Sequence, residues 1–205
     1  MDRKPTIIAM DLEGVLVPEI WIAVALKTGI EQLKRTTRDE PDYDLLMKSR
    51  IAILKDNNLK LKDIQDVINT LEPLDGAKEY INWLRYGNQL ILLSDTYYEF
   101  AYPLMRKLGN PTLFCNTLEV DNENFITGYR LRQSDGKRKA VSALKQVGFR
   151  VIAAGDSYND ITMLKEADHG ILFRPPANVI AEFPAFPVFT EYNGLKSHLE
   201  LLLAE

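Results

Sequence analysis

The stretch Thr6-Ile7-Ile8-Ala9-Met10-Asp11-Leu12-Glu13 decides the fold, because a short apolar run stops abruptly at an acidic residue. A continuous apolar run of this length predicts a strand buried on both faces, which is typical of a parallel sheet between helices. Two later runs have the same form: residues 90–93 end at Ser94, and residues 151–154 end at Gly155-Asp156. We therefore predict an α/β fold with a Rossmann-like core.

Weaker patterns extend this sheet outward from the three runs. Residues 170–173 and 112–116 are further strand candidates. Apolar residues at helical spacing lie between the runs, as in residues 76–86 and 138–147, so strand and helix alternate as in βαβ units. Residues 118–131 alternate in polarity around a polar turn, which predicts a β-hairpin flap beside the core sheet.

The interval between the first two strands is too long for one crossover helix, since a whole βαβ unit needs about 30 residues. Stretches with helical spacing fill it at residues 18–32, 42–55 and 62–71. Glu72-Pro73 ends the last of them, because proline forces the preceding residue out of the α region. We therefore predict a helical cap domain, residues 17–72, inserted into a core domain of residues 1–16 and 73–205.

Composition and charge exclude several classes of protein. The chain of 205 residues has 25 Lys and Arg against 29 Asp and Glu, a formal net charge of −4, so no general basic surface for nucleic acid is expected. Its single cysteine, Cys115, excludes an internal disulfide and a thiolate metal cluster. The apolar stretch 7–10 is too short for a signal peptide or a membrane span. We expect a cytoplasmic protein without membrane contacts, either a monomer or a homodimer.

Polar side chains follow the predicted strands at the edge where ligands of open α/β sheets bind. The predicted fold brings Asp11, Glu13, Ser94, Asp156 and Asp160 to one cleft there. The four carboxylates in this set repel one another, so either their pKa values rise or a cation lies among them. Ligands that are all oxygen favour Mg²⁺.

This set of residues, together with a lysine, suits phosphoryl transfer, where catalysis is largely positioning and neutralisation of charge. Asp11 is the candidate nucleophile, which would carry the phosphoryl group as an aspartyl-phosphate. Glu13 points to the same side in an extended chain, so it could protonate the leaving oxygen and then take a proton from the incoming acceptor. Ser94 would donate a hydrogen bond to the phosphoryl oxygens.

Four segments carry a resemblance to a known family. Asp11-Leu12-Glu13-Gly14-Val15, Ser94 after an apolar strand, Lys137 at a helix start and Gly155-Asp156-Ser157-Tyr158-Asn159-Asp160 resemble, in order, the four motifs of the haloacid dehalogenase superfamily. The resemblance runs from about Thr6 to Pro175. Within the superfamily, the chain resembles the phosphoserine phosphatase branch. Within that branch the chain resembles the bifunctional phosphoserine phosphatase/homoserine phosphotransferases.

The resemblance implies a role for each matching residue. The implied catalytic residues are Asp11, Glu13, Ser94 and Lys137. Mg²⁺ would be held by Asp11, the backbone carbonyl of Glu13 and Asp156, with Asp160 as an outer partner that holds the metal's waters. The implied binding residues for phosphoserine are Glu19 for its amino group, Arg50 for its carboxylate, Tyr43 as a wall, and Ser94, Asp95, Thr96, Lys137 and Asn159 around its phosphate.

Two departures from the family pattern bear on the acceptor. Glu13 stands where the family has Asp, and Asp95-Thr96 replaces two glycines that phosphoserine phosphatases have after the serine. Both departures favour an enzyme that also passes phosphate to homoserine.

Other interpretations stay open at this point. Glu19 and Arg50 are long charged residues on helices, which are commonly solvated. The whole protein could also be another small-molecule phosphomonoesterase, a phospho-aspartate receiver, or a non-catalytic protein that binds a phosphorylated ligand. A receiver is disfavoured, since receivers have their acids near the first strand and need no cap.

Overall fold

The computed structural model describes residues 4–36, 39–40 and 42–204. Within them, the strands are β1 (Thr6–Met10), β2 (Gln89–Tyr97), β3 (Leu113–Val120), β4 (Ile126–Arg130), β5 (Arg150–Gly155), β6 (His169–Phe173) and β7 (Val188–Phe189). The helices are α1 (Ile20–Thr28), α2 (Tyr43–Asp56), α3 (Leu61–Asn69), α4 (Ala77–Gly87), α5 (Tyr98–Lys107), α6 (Gly136–Gln146), α7 (Ile161–Glu166), α8 (Ala177–Glu182) and α9 (Tyr192–Ala204). Short 3₁₀ turns occur at Glu31–Lys34 and Tyr158–Asp160.

The described strands form one sheet in the order β4-β3-β2-β1-β5-β6-β7. β1 lies at its centre and pairs in parallel with β2 and β5. The pairs β2–β3, β5–β6 and β6–β7 are also parallel, and β3–β4 is antiparallel. The predicted α/β fold with a parallel sheet between helices is confirmed.

Both faces of β1 are buried, which explains its unbroken apolar sequence. Ile8 and Met10 enter the larger hydrophobic core, which also contains buried residues of α1 to α5 and α9. Ile7 and Ala9 point to the other face and pack with residues of α6 and α7. Asp11 follows at the edge, because a carboxylate cannot replace an apolar side chain inside either core without a partner.

The predicted flap is continuous with the core sheet. Residues 112–116 were predicted as one strand and residues 118–131 as a separate hairpin, but β3 runs through both and then pairs with β4. Asn116 lies where β3 passes from one partner to the next. Its buried side-chain amide donates to the carbonyl of Asp95 and accepts from the backbone amide of Arg132. These bonds stabilise β3 as one strand at the point where a break between two elements was expected.

The elements α5, α7, α8 and β7 were not predicted from the sequence. α5 begins directly after β2 and carries Pro103 in its interior, so neither a turn nor an undisturbed helical pattern marks it. α7 and α8 have 6 residues each and β7 has 2, too few to show a period. Among the described residues, no helix combines the length and the apolar content that a membrane span requires.

The segment between β1 and α4 forms α1, a 3₁₀ turn, α2 and α3, in the interval where helices were predicted. It starts and ends at neighbouring points, since the amide of Leu74 donates to the carbonyl of Leu16 at 2.9 Å. Lys107 of α5 donates to the carbonyl of Leu71 and to the carboxylate of Glu72 at its end. The division into core and cap domains stays a prediction, and its residues 1–3, 37, 38, 41 and 205 lie outside the described ranges.

Candidate functional site

A cavity of about 680 Å³ opens at the carboxyl ends of β1, β2 and β5, beneath α1 and α2. The predicted site residues that line it are Asp11, Glu13, Glu19, Tyr43, Arg50, Ser94, Asp95, Thr96, Lys137, Asp156 and Asn159. Asp160 lies behind this wall and is fully buried. The structure therefore brings together side chains that are far apart in the sequence, as the strand-end rule predicts.

The floor of the cavity is an acidic cluster around one lysine. Carboxylate oxygens of Asp11, Asp156 and Asp160 lie within 4.8 Å of one another. Lys137 Nζ is 2.8 Å from Asp11 Oδ1 and 2.7 Å from Asp160 Oδ1. Burial alone would lower the pKa of Lys137, but the charges of Asp11 and Asp160 outweigh it and raise that pKa, so the lysine stays charged.

The carboxylates nevertheless exceed the positive charge available to them. Burial and the charge of Asp160 raise the pKa of Asp11 well above its ordinary value, although Lys137 opposes them. Burial and Asp160 likewise raise the pKa of Asp156 to about 7. A cation placed among these oxygens would lower the pKa values of both carboxyl groups. The oxygen atoms are hard ligands of the type that Mg²⁺ prefers.

Two glycines allow this cluster to be compact. Gly14 has φ +75°, and a Cβ there would lie 2.5 Å from Asp156 Oδ2. A Cβ on Gly155 would lie 2.5 Å from Asp160 Oδ2. That Asp160 oxygen accepts the amides of Asp156 and Ser157 at 2.9 and 3.1 Å, so Asp160 folds the loop after β5 and directs Asp156 toward Asp11.

Glu13 and Glu19 form a second pair of acids on the side of α1. Glu13 Oε2 accepts the amide of Ile20, the first residue of α1, at 2.8 Å. Burial raises the pKa of Glu13, and the Ile20 amide and the Thr96 side chain offset part of that rise. Glu19 lies at the mouth of the cavity, where burial and the charge of Glu13 raise its pKa to about 7. Near neutral pH this pair can therefore hold a proton.

The loop after β2 joins the two sides of the cleft. Ser94 and Thr96 are buried, and Ser94 Oγ accepts the amide of Thr96 at 3.2 Å. The exposed Asp95 accepts from the side-chain amide of Asn159 at 3.0 Å and lies 3.7 Å from Lys137 Nζ. Asp95 therefore fixes Asn159 beside the acidic cluster, an arrangement that glycine at this position would not provide.

Arg50 enters the cavity from α2 with part of its guanidinium unpaired. It is 7% exposed, and its carbon Cζ stacks 4.5 Å from the centre of the Trp21 ring. Nη2 donates to the carbonyl of Arg35 at 2.6 Å, whereas Nε is buried and has no hydrogen-bond partner among the described residues. A buried donor without a partner favours a ligand that supplies an acceptor.

Aromatic residues that were not assigned to the site from the sequence line the cavity or support its lining. Tyr97, at the end of β2, shares a hydrogen bond of 2.7 Å between its hydroxyl and that of Tyr43. Tyr129 of β4 contacts both rings edge to face. The ring of Trp21 lies 5.3 Å from that of Phe100, centre to centre, and Trp21 also supports Arg50. The position of Tyr97 near Ser94 at the strand end was the signal in the sequence.

Comparisons with known proteins match this architecture. A model of the haloacid dehalogenase-like hydrolases matches residues 5–168. The phosphoserine phosphatase ThrH of Pseudomonas aeruginosa is 62% identical over 190 residues, which cover 93% of each chain. A phosphoserine phosphatase of Pseudomonas syringae pv. tomato is 60% identical over 190 residues, or 93% of this chain and 80% of that protein. The family resemblance seen in the motifs is confirmed.

Solved structures share the fold at lower sequence identity. A substrate-bound phosphoserine phosphatase complex has a TM-score of 0.78 at 22% identity and covers 98% of this chain and 99% of its own. A phospho-aspartyl intermediate analogue of phosphoserine phosphatase has a TM-score of 0.74 at 23% identity, with coverages of 91% and 93%. These two structures establish the likeness of fold.

Proposed function

Since this chain belongs to the haloacid dehalogenase-like hydrolase family, we propose that it is a Mg²⁺-dependent phosphoserine phosphatase that also transfers phosphate to homoserine. The observation that carries the proposal is the placement of Asp11 beside Lys137 at the floor of the cavity, with Glu13 and Arg50 above it. The similarity to the phosphatases of the two Pseudomonas species supports the choice of phosphoserine.

The residues present fit a divalent cation. Carboxylate oxygens of Asp11 and Asp156 converge with a surplus of negative charge, and a side chain at Gly14 would fill the space beside Asp156. Asp11, Asp156 and the backbone carbonyl of Glu13 would hold Mg²⁺, and Asp160 would orient them from behind. When bound, Mg²⁺ supplies neutralisation of charge on the phosphoryl oxygens.

In the first half of the reaction, a carboxylate oxygen of Asp11 forms a bond to phosphorus while the bond from phosphorus to the serine oxygen breaks. Lys137 and the amide of Leu12 donate to Asp11 Oδ1 at 2.8 and 2.7 Å, which holds the carboxylate in one orientation. Glu13 gives its proton to the departing serine oxygen, a role suited to a carboxyl whose pKa is raised by burial.

In the second half, an acceptor oxygen attacks phosphorus and the bond to Asp11 breaks. Glu13 takes the proton from the acceptor, so the same side chain serves both halves. Water as the acceptor gives inorganic phosphate, and homoserine gives phosphohomoserine. The longer side chain of Glu13, held by the amide of Ile20, supports an alcohol acceptor because it sets the proton acceptor close to the cap.

The amino acid part of the substrate would lie under α1 and α2. The unpaired Nε of Arg50 suits its carboxylate. Its ammonium group would lie against Glu19 and replace the proton that Glu19 can hold near neutral pH, while Glu13 keeps the proton that it donates to the serine oxygen. Ser94 and Lys137 would donate to the phosphoryl oxygens, with Asn159 at their border.

The test is incubation with phosphoserine and Mg²⁺, with and without homoserine, while serine, phosphate and phosphohomoserine are followed together. Replacing Asp11→Asn should lower turnover by at least about a thousandfold, because no covalent intermediate can form. Acid-quenched wild-type protein should carry one phosphoryl group on the peptide that contains Asp11. Asp75→Asn, an exposed acid outside the cavity, is the matched control and should keep full turnover.

Each part of the proposal has its own contrary result. A folded Asp11→Asn protein that retained turnover would exclude the covalent mechanism. Formation of phosphate without any phosphohomoserine would exclude the transfer reaction and leave the phosphatase. Lack of Mg²⁺-stimulated hydrolysis across a panel of phosphate esters would instead indicate a protein that only binds phosphorylated ligands.

A further inference from the structure

We propose that the hydroxyl groups of Tyr43 and Tyr97 form a clasp that holds the cavity closed over its amino acid ligands. Tyr43 is the first residue of α2, and Tyr97 is the last residue of β2. Their hydroxyl oxygens are 2.7 Å apart, and both residues line the cavity. This hydrogen bond joins the helical segment to the sheet across the wall of the site.

The residues around the two hydroxyl groups favour formation of the clasp. Burial raises the pKa values of both phenols, so both hydroxyls stay protonated and either one can donate. Tyr129 contacts the ring of Tyr43 at 5.8 Å and that of Tyr97 at 6.1 Å, in both cases edge to face. Since the hydroxyl of Tyr129 is bound to Asp44, this ring is itself fixed. Little rotational freedom is left to lose when the clasp forms.

Two other groups of contacts of the helical segment lie away from the cavity. Leu16 bonds to Leu74 where the chain enters and leaves the segment. At the hairpin turn, the carbonyl of Asn124 accepts a hydrogen bond from the backbone amide of Leu61, and the side-chain oxygen of Asn124 accepts one from the backbone amide of Lys62. A motion that uses these contacts as its pivot must separate Tyr43 from Tyr97, and Asp44 from Tyr129, in order to open the cavity.

The consequence for the reaction rests on the proposed function. An amino acid bound between Arg50 and Lys137 is enclosed only while the clasp is formed, so the clasp adds to the affinity for phosphoserine and for homoserine. Attack by water needs no such affinity. The clasp therefore favours transfer over hydrolysis when homoserine is below saturation.

The test uses the full chain and the variants Tyr97→Phe, Tyr43→Phe and the double variant. The loss of one hydrogen bond should raise the KM for phosphoserine about threefold to tenfold, while kcat changes less than about twofold. The ratio of phosphohomoserine to phosphate at low homoserine should fall by the same factor. Without substrate, amides of α1 and α2 should exchange with deuterium faster by a similar factor.

The double variant and a matched tyrosine separate the clasp from a general loss of stability. Because both hydroxyls serve one bond, the double variant should lose no more than either single variant. Tyr80→Phe removes a buried hydroxyl that has no partner in the described part of the chain and should change none of these values. Additive losses, or unchanged KM and exchange in Tyr97→Phe, would overturn the clasp. If the wild type does not act on phosphoserine, the proposed function fails, and the exchange comparison still decides whether the clasp exists.

Discussion

At the scale of single residues, the acidic cluster depends on positions where a side chain is missing. Gly14 takes a left-handed backbone conformation, and the space that its Cβ would occupy is filled by the carboxylate of Asp156. Gly29 has nearly the same φ, +74° against +75°, but apart from its own chain neighbours no described residue has an atom within 4 Å of the place its Cβ would take. A substitution at Gly29 would therefore cause backbone strain alone, whereas one at Gly14 would also displace Asp156.

Replacing Gly14→Ala should destabilise the fold by about 1–2 kcal/mol through its left-handed backbone and should also displace Asp156. We expect phosphate release to fall by at least about tenfold at saturating Mg²⁺. Gly29→Ala should show the same loss of unfolding free energy in urea with normal phosphate release. Equal activity in the two variants would mean that the approach of Gly14 to Asp156 has no part in the function.

At the scale of elements, the hairpin of β3 and β4 caps a helix that is distant in the sequence. Asn124 has φ +71°, and its carbonyl and side-chain oxygens accept the amides of Leu61 and Lys62 at 2.9 Å each. Both amides belong to the first turn of α3, which has no earlier turn to bond with. The hairpin turn therefore takes the place of a local capping residue.

Replacing Asn124→Ala should cost about 2 kcal/mol of unfolding free energy, since it removes one capping hydrogen bond. In addition, alanine is disfavoured in the left-handed region, because it has a Cβ and lacks the polar side chain that lets asparagine adopt this conformation. Asn124→Gly should cost about half as much, because it removes only the bond. Asn124→Asp keeps an acceptor at the helix N-terminus and should be within about 0.5 kcal/mol of the wild type. Denaturation in urea measures all three, and the reverse order for Ala and Gly would contradict this role of the turn.

At the scale of the whole molecule, the sheet gathers charge that its own residues do not balance. The ends of β1 and β5 meet at Asp11 and Asp156, and Lys137 lies against Asp11 and Asp160. The protein is therefore expected to be less stable without a divalent cation than with one.

Addition of Mg²⁺ to protein treated with a chelator should raise Tm by about 2–4 °C for each kcal/mol of binding free energy. Asp156→Asn removes one of the repelling charges, so it should raise the Tm of the metal-free protein and abolish most of the shift with Mg²⁺. Differential scanning calorimetry at pH 7 measures both effects. A variant that kept the full Mg²⁺ shift would show that the cation binds elsewhere.

The parts that could be predicted from the sequence are those that depend on local pattern. The run before Asp11 indicated a strand buried on both faces, and the rule for strand ends then placed Ser94 and Asp156 beside it. The bond between Tyr43 and Tyr97 joins residues 54 positions apart and leaves no periodic trace. Asn116 was also missed, because a buried amide in the middle of a strand has the same pattern as an exposed one.

The backbone bond between Leu16 and Leu74 has a consequence for the history of this architecture. Because the two ends of the intervening segment lie side by side, the sheet sets no limit on how many residues connect them. Insertions of quite different size and shape can therefore be exchanged at this point during evolution. Asp11 on one side of the junction and the strand that ends near Ser94 on the other would keep their places while selectivity for ligands changes.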